Sequence, residues 1–171
     1  MRKTIHYCWF GGKPLPKKVK QYIKTWKKHL PDFEIKQWNE KNFDINCTNF
    51  SKQAYESKKW AFVSDVARIH ALKEMGGLYL DTDVEIIKPV DFLFENEFFI
   101  GKEDEKFVGT CVIGTTTPNN PHINAILDIY KDLTFDPNDM YNVTSPRIIT
   151  EYLETKNLLA KDTTQDLPSR N

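Results

Sequence analysis

No apolar run in this chain approaches the ~20 residues of a membrane-spanning helix, so no spanning segment is expected. The start, "MRKTIHYCWFGGKPLPKK", has too short an apolar stretch and no small-residue cleavage site for a signal peptide. Cysteine is scarce. Cys8, Cys47 and Cys111 are odd in number and widely spaced, and they match no metal-ligand pattern. They read as reduced, partly buried thiols of a cytosolic protein. The four histidines are scattered, and no His/Cys/Ser nucleophile arrangement stands out. Internal repeats, long linkers and low-complexity tracts are all missing.

Net charge is missing too, with 24 Lys/Arg against 24 Asp/Glu, but the balance hides an asymmetry. Residues 1–60 carry a charge of +9 and residues 61–171 a charge of −9. The positive charge concentrates in "KPLPKKVKQYIKTWKKHL", where Val19, Tyr22, Ile23, Trp26 and Leu30 fall at helical spacing with lysines on the other face. Such a face is ordinarily just solvated; its functional alternative is attraction to anionic phospholipid. Nucleic-acid binding is not expected, because no binding motif accompanies the basic patch.

What is present is 171 residues, 40% hydrophobic and 13% aromatic, enough for one globular domain with a real core. We read it as a single domain over 1–160 followed by a loose polar tail, 161–171. "KTIHYCWF" reads as a strand running into Gly11-Gly12, and "FEIKQW" as a second strand. "NEKNFDIN" reads as a loop and "FSKQAYESKK" as a short helix. "WAFVSDVARIHALKEMGG" follows as a helix stopped by Gly76-Gly77, with Val63, Val66, Ile69, Leu72 and Met75 as its apolar stripe. "GGLYLDTDVEII" is the next strand, and "EFFIGKE" and "FVGTCVIGTT" are two more. "PHINAILDIYKDL" and "SPRIITEYLETKNLL" are helices, each starting at or near a proline. Strands alternating with helices imply an α/β fold with a mainly parallel central sheet flanked by helices. In such sheets ligands bind beyond the carboxyl ends of the strands, where "WFGG" and "LDTD" both fall.

Three constellations could carry chemistry. Asp81 and Asp83 interrupt an apolar run, and a buried carboxylate is costly unless paired, hydrogen-bonded or bound to metal. On a strand, positions i and i+2 share a face, with Cα atoms roughly 6–7 Å apart. Two such carboxylates can hold Mg²⁺ or Mn²⁺ against a bound diphosphate. Asp65 and Arg68 share a helix face, with Ser64 one turn from Arg68. They read either as a surface ion pair of about 0–1 kcal/mol or as a clamp for sugar hydroxyls. Trp9 could stack a nucleotide base or simply fill core, while Gly11 and Gly12 would let backbone approach a ligand. His6 reads as a structural histidine.

Together, "IHYCWFGG", "PKKVKQYIKTWKKHLPDFEIKQWNE", "KKWAFVSDVARIHALKEMGGLYLDTDVEII" and "SPRIIT" resemble the DXD-containing sugar transferases of glycosyltransferase family 32. That family includes capsular-polysaccharide and mannosyl or galactosyl transferases, and is distantly similar to the glucosylating clostridial toxins. The resemblance implies a GT-A-like nucleotide-diphospho-sugar transferase fold, a Mn²⁺ or Mg²⁺ cofactor and retention of anomeric configuration. It implies transfer of a hexose from a UDP- or GDP-sugar to a capsular or surface glycan, lipid-linked where the reaction runs at a membrane. The expected location is the cytoplasm, peripheral at the inner membrane face in the lipid-linked case. By resemblance Trp9 stacks the donor base, with Gly11 and Gly12 beside it. Asp65 and Arg68 bind the donor sugar, Asp81 reaches the ribose or sugar and a metal-bound water, and Asp83 ligates the metal. Ser64 and Tyr79 support that site.

Family members usually continue to a C-terminal segment with a His or Asn and a Trp near the diphosphate, and no such motif is found before "DLPSRN". One alternative is therefore a truncated or degenerate non-catalytic domain that binds nucleotide sugar. "LYLDTDVEI" also resembles the first motif of haloacid-dehalogenase-type phosphatases, with Asp81 as nucleophile and Asp83 as general acid. That motif normally opens its chain, whereas Asp81 lies mid-chain, and the later Lys and acidic pair it needs are not evident.

Overall fold

The computed structural model describes residues 3–159; the polar tail 161–171 lies outside them. The β-branched and aromatic run after Lys3 forms β1 (Thr4–Cys8), buried at every position. α1 (Lys17–His29) begins after Pro16, whose fixed φ suits a helix start. β2 (Glu34–Trp38) then pairs in parallel with β1. α2 (Asn49–Glu56) starts at Thr48, whose side chain accepts from the Ser51 N–H, and α3 (Trp60–Met75) follows. β3 (Gly77–Leu80) lies parallel on the other side of β1. β4 (Phe98–Lys102) and β5 (Val108–Thr115) form an antiparallel pair, and β5 also pairs antiparallel with β3. α4 (Pro121–Asp132) and α5 (Ser145–Thr155) complete the order.

The five strands run in the order β2-β1-β3-β5-β4. The three from the first half are parallel, as the βαβ pattern predicts. β4 and β5 instead join as an antiparallel ribbon, because only a short loop, too small for a crossover, separates them.

Strand alternation divides the core into two layers. Ile5, Tyr7, Leu78, Leu80 and Phe99 face α1 and pack with Trp26, Leu30 and Ile86. Cys8, Tyr79, Phe98 and Ile113 face the opposite way, onto Phe50, Val66, Ile69, Leu72, Ile126 and Ile149 of α2–α5. α3 is thus more than a helix with one apolar stripe. Asp65, Ala67, Arg68 and Ala71 are buried with Val63, Val66, Ile69 and Leu72, so the helix is enclosed on most sides.

The Gly-Gly stop reads as expected. Gly76 (φ +62°) caps α3 and Gly77 (φ +101°) starts β3, both in the left-handed region that glycine adopts without strain. A Cβ on Gly77 would lie 2.4 Å from the Thr4 carbonyl oxygen, so this turn also needs the missing side chain for close packing on β1.

One expectation is corrected. The strand in "GGLYLDTDVEII" ends at Leu80, so Asp81 and Asp83 do not alternate on a strand face. The Asp81 N–H still bonds the Cys111 carbonyl (2.9 Å), and then Val84 N–H bonds the Asp81 carbonyl (3.1 Å) and closes a turn. Turning at the sheet rim lets both carboxylates reach solvent, where a continued strand would point both into the same core layer.

Candidate active site

Parallel pairing sets Ile5 opposite Leu78 and His6 opposite Tyr79. Carried two residues further, that register brings the ends of β1 and β3 to one rim, with "WFGG" leaving one strand and "DTD" the other. His6 anchors the pair from below. Its Nδ1 accepts from Trp38 Nε1–H (3.1 Å), so Nε2 carries the proton and donates to the Gly76 carbonyl (2.8 Å). Burial holds its pKa down to about 4, consistent with a structural, neutral imidazole.

At the rim, Arg68 is the hub. Its Nη2 lies 2.9 Å from Asp65 Oδ1 and 3.3 Å from Asp81 Oδ1. Nη1 donates to the Thr110 carbonyl on β5 (2.7 Å), Nε to the Ser64 carbonyl (3.4 Å), and the guanidinium lies over the Tyr79 ring at 4.7 Å. Tyr79 in turn donates its hydroxyl to Asp81 Oδ1 (2.7 Å). Asp65, Arg68, Asp81, Tyr79 and Ser64 are therefore one connected network. The alternative of a surface ion pair does not hold: the Asp65 and Arg68 side chains are only 10% and 5% exposed. A buried pair of this kind is kept for geometry more than for stability.

Burial is the first influence on Asp65, Arg68, Tyr79 and Cys8. It raises the Asp65 pKa to about 6, with the Asp81 charge adding to the rise and Arg68 opposing it. Burial works against the Arg68 charge, but Tyr79, Asp65 and Asp81 outweigh it and hold the guanidinium firmly protonated. Tyr79 and Cys8 are both pushed up by burial, Cys8 to about 12, so neither ionises near neutrality.

Asp83 lies two residues beyond Asp81, exposed and in no ion pair among the described residues. Asp81 has one oxygen in the Arg68–Tyr79 network and is partly exposed. Among the described residues no group of three or more His, Cys, Asp or Glu converges on a cation position. The donor set is two carboxylates, all hard oxygen. That fits a Mg²⁺- or Mn²⁺-type ion whose remaining ligands come from a phosphate-bearing ligand or water.

The loop after β1 carries the remaining predicted residues. Trp9 is half-buried, its Nε1–H donated to the Lys13 carbonyl (2.6 Å), and Gly11 N–H donates to Glu40 Oε1 (2.7 Å). Gly11 and Gly12 have φ of +90° and +69°. A Cβ on Gly11 would sit 2.7 Å from Trp60 Nε1, so this glycine is needed for close packing of the loop on the start of α3. Trp60, stacked edge-on with Tyr55 at 5.1 Å, and the Thr110 carbonyl are the rim features that motif reasoning missed. A backbone carbonyl leaves no trace in sequence, and Trp60 reads equally well as core. A cavity of about 480 Å³ near Lys102, Phe107, Val108 and Glu154 is lined by none of the rim residues.

Against known proteins, residues 16–100 match the glycosyltransferase sugar-binding region containing a DXD motif. The chain is 30% identical over 169 residues to an uncharacterized glycosyltransferase of Acanthamoeba polyphaga mimivirus, covering 90% of this chain and 65% of that one. It is 28% identical over 170 residues to a toxin of Photorhabdus asymbiotica, covering 74% of this chain but 6% of the toxin. The chain thus spans somewhat less than two thirds of the viral relative and a small part of the toxin. Among solved structures, the PaToxG glycosyltransferase superposes with a TM-score of 0.70 at 22% identity, over 90% of this chain and 68% of that one, and so shares the fold. By its matched region, its relatives and the rim that joins Asp65, Arg68 and Asp81, the chain is similar to the sugar transferases marked by the DXD motif.

Proposed function

We propose that this chain transfers a hexose from a nucleotide-diphosphate sugar, UDP- or GDP-linked, to a hydroxyl of a surface or capsular glycan, and that the acceptor is lipid-linked. The observation that carries the reading is the buried Asp65–Arg68–Asp81 network opening beside an exposed Asp83, which makes no ion pair among the described residues, where the parallel strands β1 and β3 end. A rim that only closed a sheet would not need a guanidinium fixed by two carboxylates, two carbonyls and a tyrosine ring.

Asp83, with the outer oxygen of Asp81, would hold a Mn²⁺ or Mg²⁺ ion. Such an ion supplies charge neutralisation for a leaving diphosphate. The chain's own residues do the rest. Asp65 accepts hydrogen bonds from donor-sugar hydroxyls while Arg68 fixes its carboxylate, and Tyr79 fixes Asp81 through its hydroxyl. Trp9 offers an indole face to the base. Orientation of this kind is what positioned networks contribute to group transfer. Front-face attack, steered by the diphosphate, would keep anomeric configuration without a carboxylate nucleophile beneath the anomeric carbon.

Asp83→Asn should lower Mn²⁺-stimulated donor hydrolysis or transfer by at least ~100-fold with little change in melting temperature, because Asp83 is exposed and unpaired. Assays with a panel of UDP- and GDP-hexoses measure this. Unchanged metal dependence in the variant would remove Asp83 as a ligand. Failure of every donor in the wild type to turn over would favour the non-catalytic sugar-binding alternative.

A further inference from the structure

We infer that the outer side of α1, together with the segment after the DXD turn, is a docking surface for an anionic lipid bilayer. Residues 1–31 contain nine Lys or Arg and no Asp or Glu. On α1 the apolar positions are used inside: Val19 and Trp26 are buried, and Ile23 and Leu30 pack in the same core layer. Lys17, Lys18, Lys20, Lys24, Lys27 and Lys28 are consequently all exposed, with no ion pair to any described residue.

The second observation is apolar. Residues 84–94 run along α1, held by Trp26 Nε1–H to the Val84 carbonyl (2.8 Å), Ile86 N–H to Thr25 Oγ1 (3.0 Å) and the Phe33–Phe94 ring pair at 5.2 Å. This segment carries Ile87, 77% exposed, and Phe92, 57% exposed, with exposed Lys88 and Asp91 between them and exposed Glu85 just before; the basic charge of the surface comes from α1. They are two of the three large hydrophobic side chains left in solvent among the described residues. Lysines beside projecting apolar side chains are the composition of an interfacial contact with anionic lipid. Each lysine near such a surface strengthens partitioning by about five-fold.

The segment starts one residue after Asp83, so docking here would bring the carboxylate rim to the membrane. That consequence for a lipid-linked acceptor rests on the transferase reading; the docking itself does not.

The test is cosedimentation of the whole chain with vesicles of phosphatidylcholine alone and of phosphatidylcholine with phosphatidylserine. Binding is expected only to the anionic vesicles, weakening as salt shortens the screening length. Lys24→Glu with Lys28→Glu should reduce it by at least ~10-fold. Ile87→Ser with Phe92→Ser should reduce it several-fold while leaving the salt dependence. Equal binding to neutral vesicles, no binding to either, or indifference to the lysine reversals would overturn the inference. So would tighter binding to duplex RNA, or salt-sensitive self-association without vesicle binding. Asp83→Asn should sediment like wild type, so failure of the transferase reading and failure of docking give different results.

Discussion

At the scale of single residues, His6 and Asp65 are two buried titratable groups that answer pH in opposite directions. His6 is held neutral down to about pH 4 when folded, against 6.5 unfolded. Between those values the unfolded chain binds the extra proton, so acidification costs stability, in all roughly 3 kcal/mol for a shift of this size. Asp65 binds its proton at about pH 6 when folded, against 3.8 unfolded, so acidification through that window adds stability. The two offset each other between about pH 4 and 6. In Asp65→Asn the offset is gone. Its melting temperature should fall relative to wild type, on the order of 5–10 °C, as pH drops from 6.5 to 4. Calorimetry of both proteins across that range checks this, and parallel curves would show that folding does not raise the Asp65 carboxyl's affinity for its proton.

At the scale of elements, the turn from α3 into β3 is the piece that sets the site. α3 delivers Asp65 and Arg68 from its buried side, β3 delivers Tyr79, and the turn just past β3 delivers Asp81. Gly76 and Gly77 make that reversal, and Gly77 lies against the β1 backbone. Gly77→Ala should cost about 2–4 kcal/mol, combining left-handed strain with a backbone clash. Because the clash pushes β3 off β1, the loss should also appear as weaker nucleotide-sugar binding in the fraction that stays folded. Denaturant unfolding with calorimetric donor titration measures both, and a neutral effect would contradict the close approach. Gly76→Ala is the control for strain, since the neighbours of its added Cβ begin at 3.2 Å.

At the scale of the whole molecule, one sheet separates two core layers, and each strand contributes to both. Ile5 and Tyr7 face α1, while His6 and Cys8 face α3. Neither layer can melt without exposing the back of the sheet that the other covers. Unfolding should therefore be a single transition, with tryptophan fluorescence and calorimetry reporting the same midpoint. Trp26→Ala in one layer and Phe50→Ala in the other should each cost about 3–5 kcal/mol and lower that same midpoint. Two resolved transitions in either variant would show that the layers fold independently. The +9 and −9 halves of the sequence lie side by side in the sheet, since the basic half supplies the neighbours β2 and β1, and the acidic half supplies β3, β5 and β4.

Local chemistry is what the sequence determined by itself. Glycine pairs, proline entries and apolar periodicity marked the elements, because each is a property of a few neighbouring residues. The Ser64–Arg68 and Asp81–Asp83 spacings named most of the site for the same reason. Tertiary structure decided what depends on partners distant in the chain. It ended β3 at Leu80 although β5 runs on, because the Val84 N–H closes a turn on the Asp81 carbonyl, and so turned Asp81 and Asp83 out to the rim. It buried Asp65 with Arg68, because α3 is enclosed by α2, α4 and the sheet, a fact that i, i+3 spacing cannot carry. It also supplied the Thr110 carbonyl, since a backbone acceptor has no residue identity, and set Ile87 and Phe92 in solvent beside the lysines of α1.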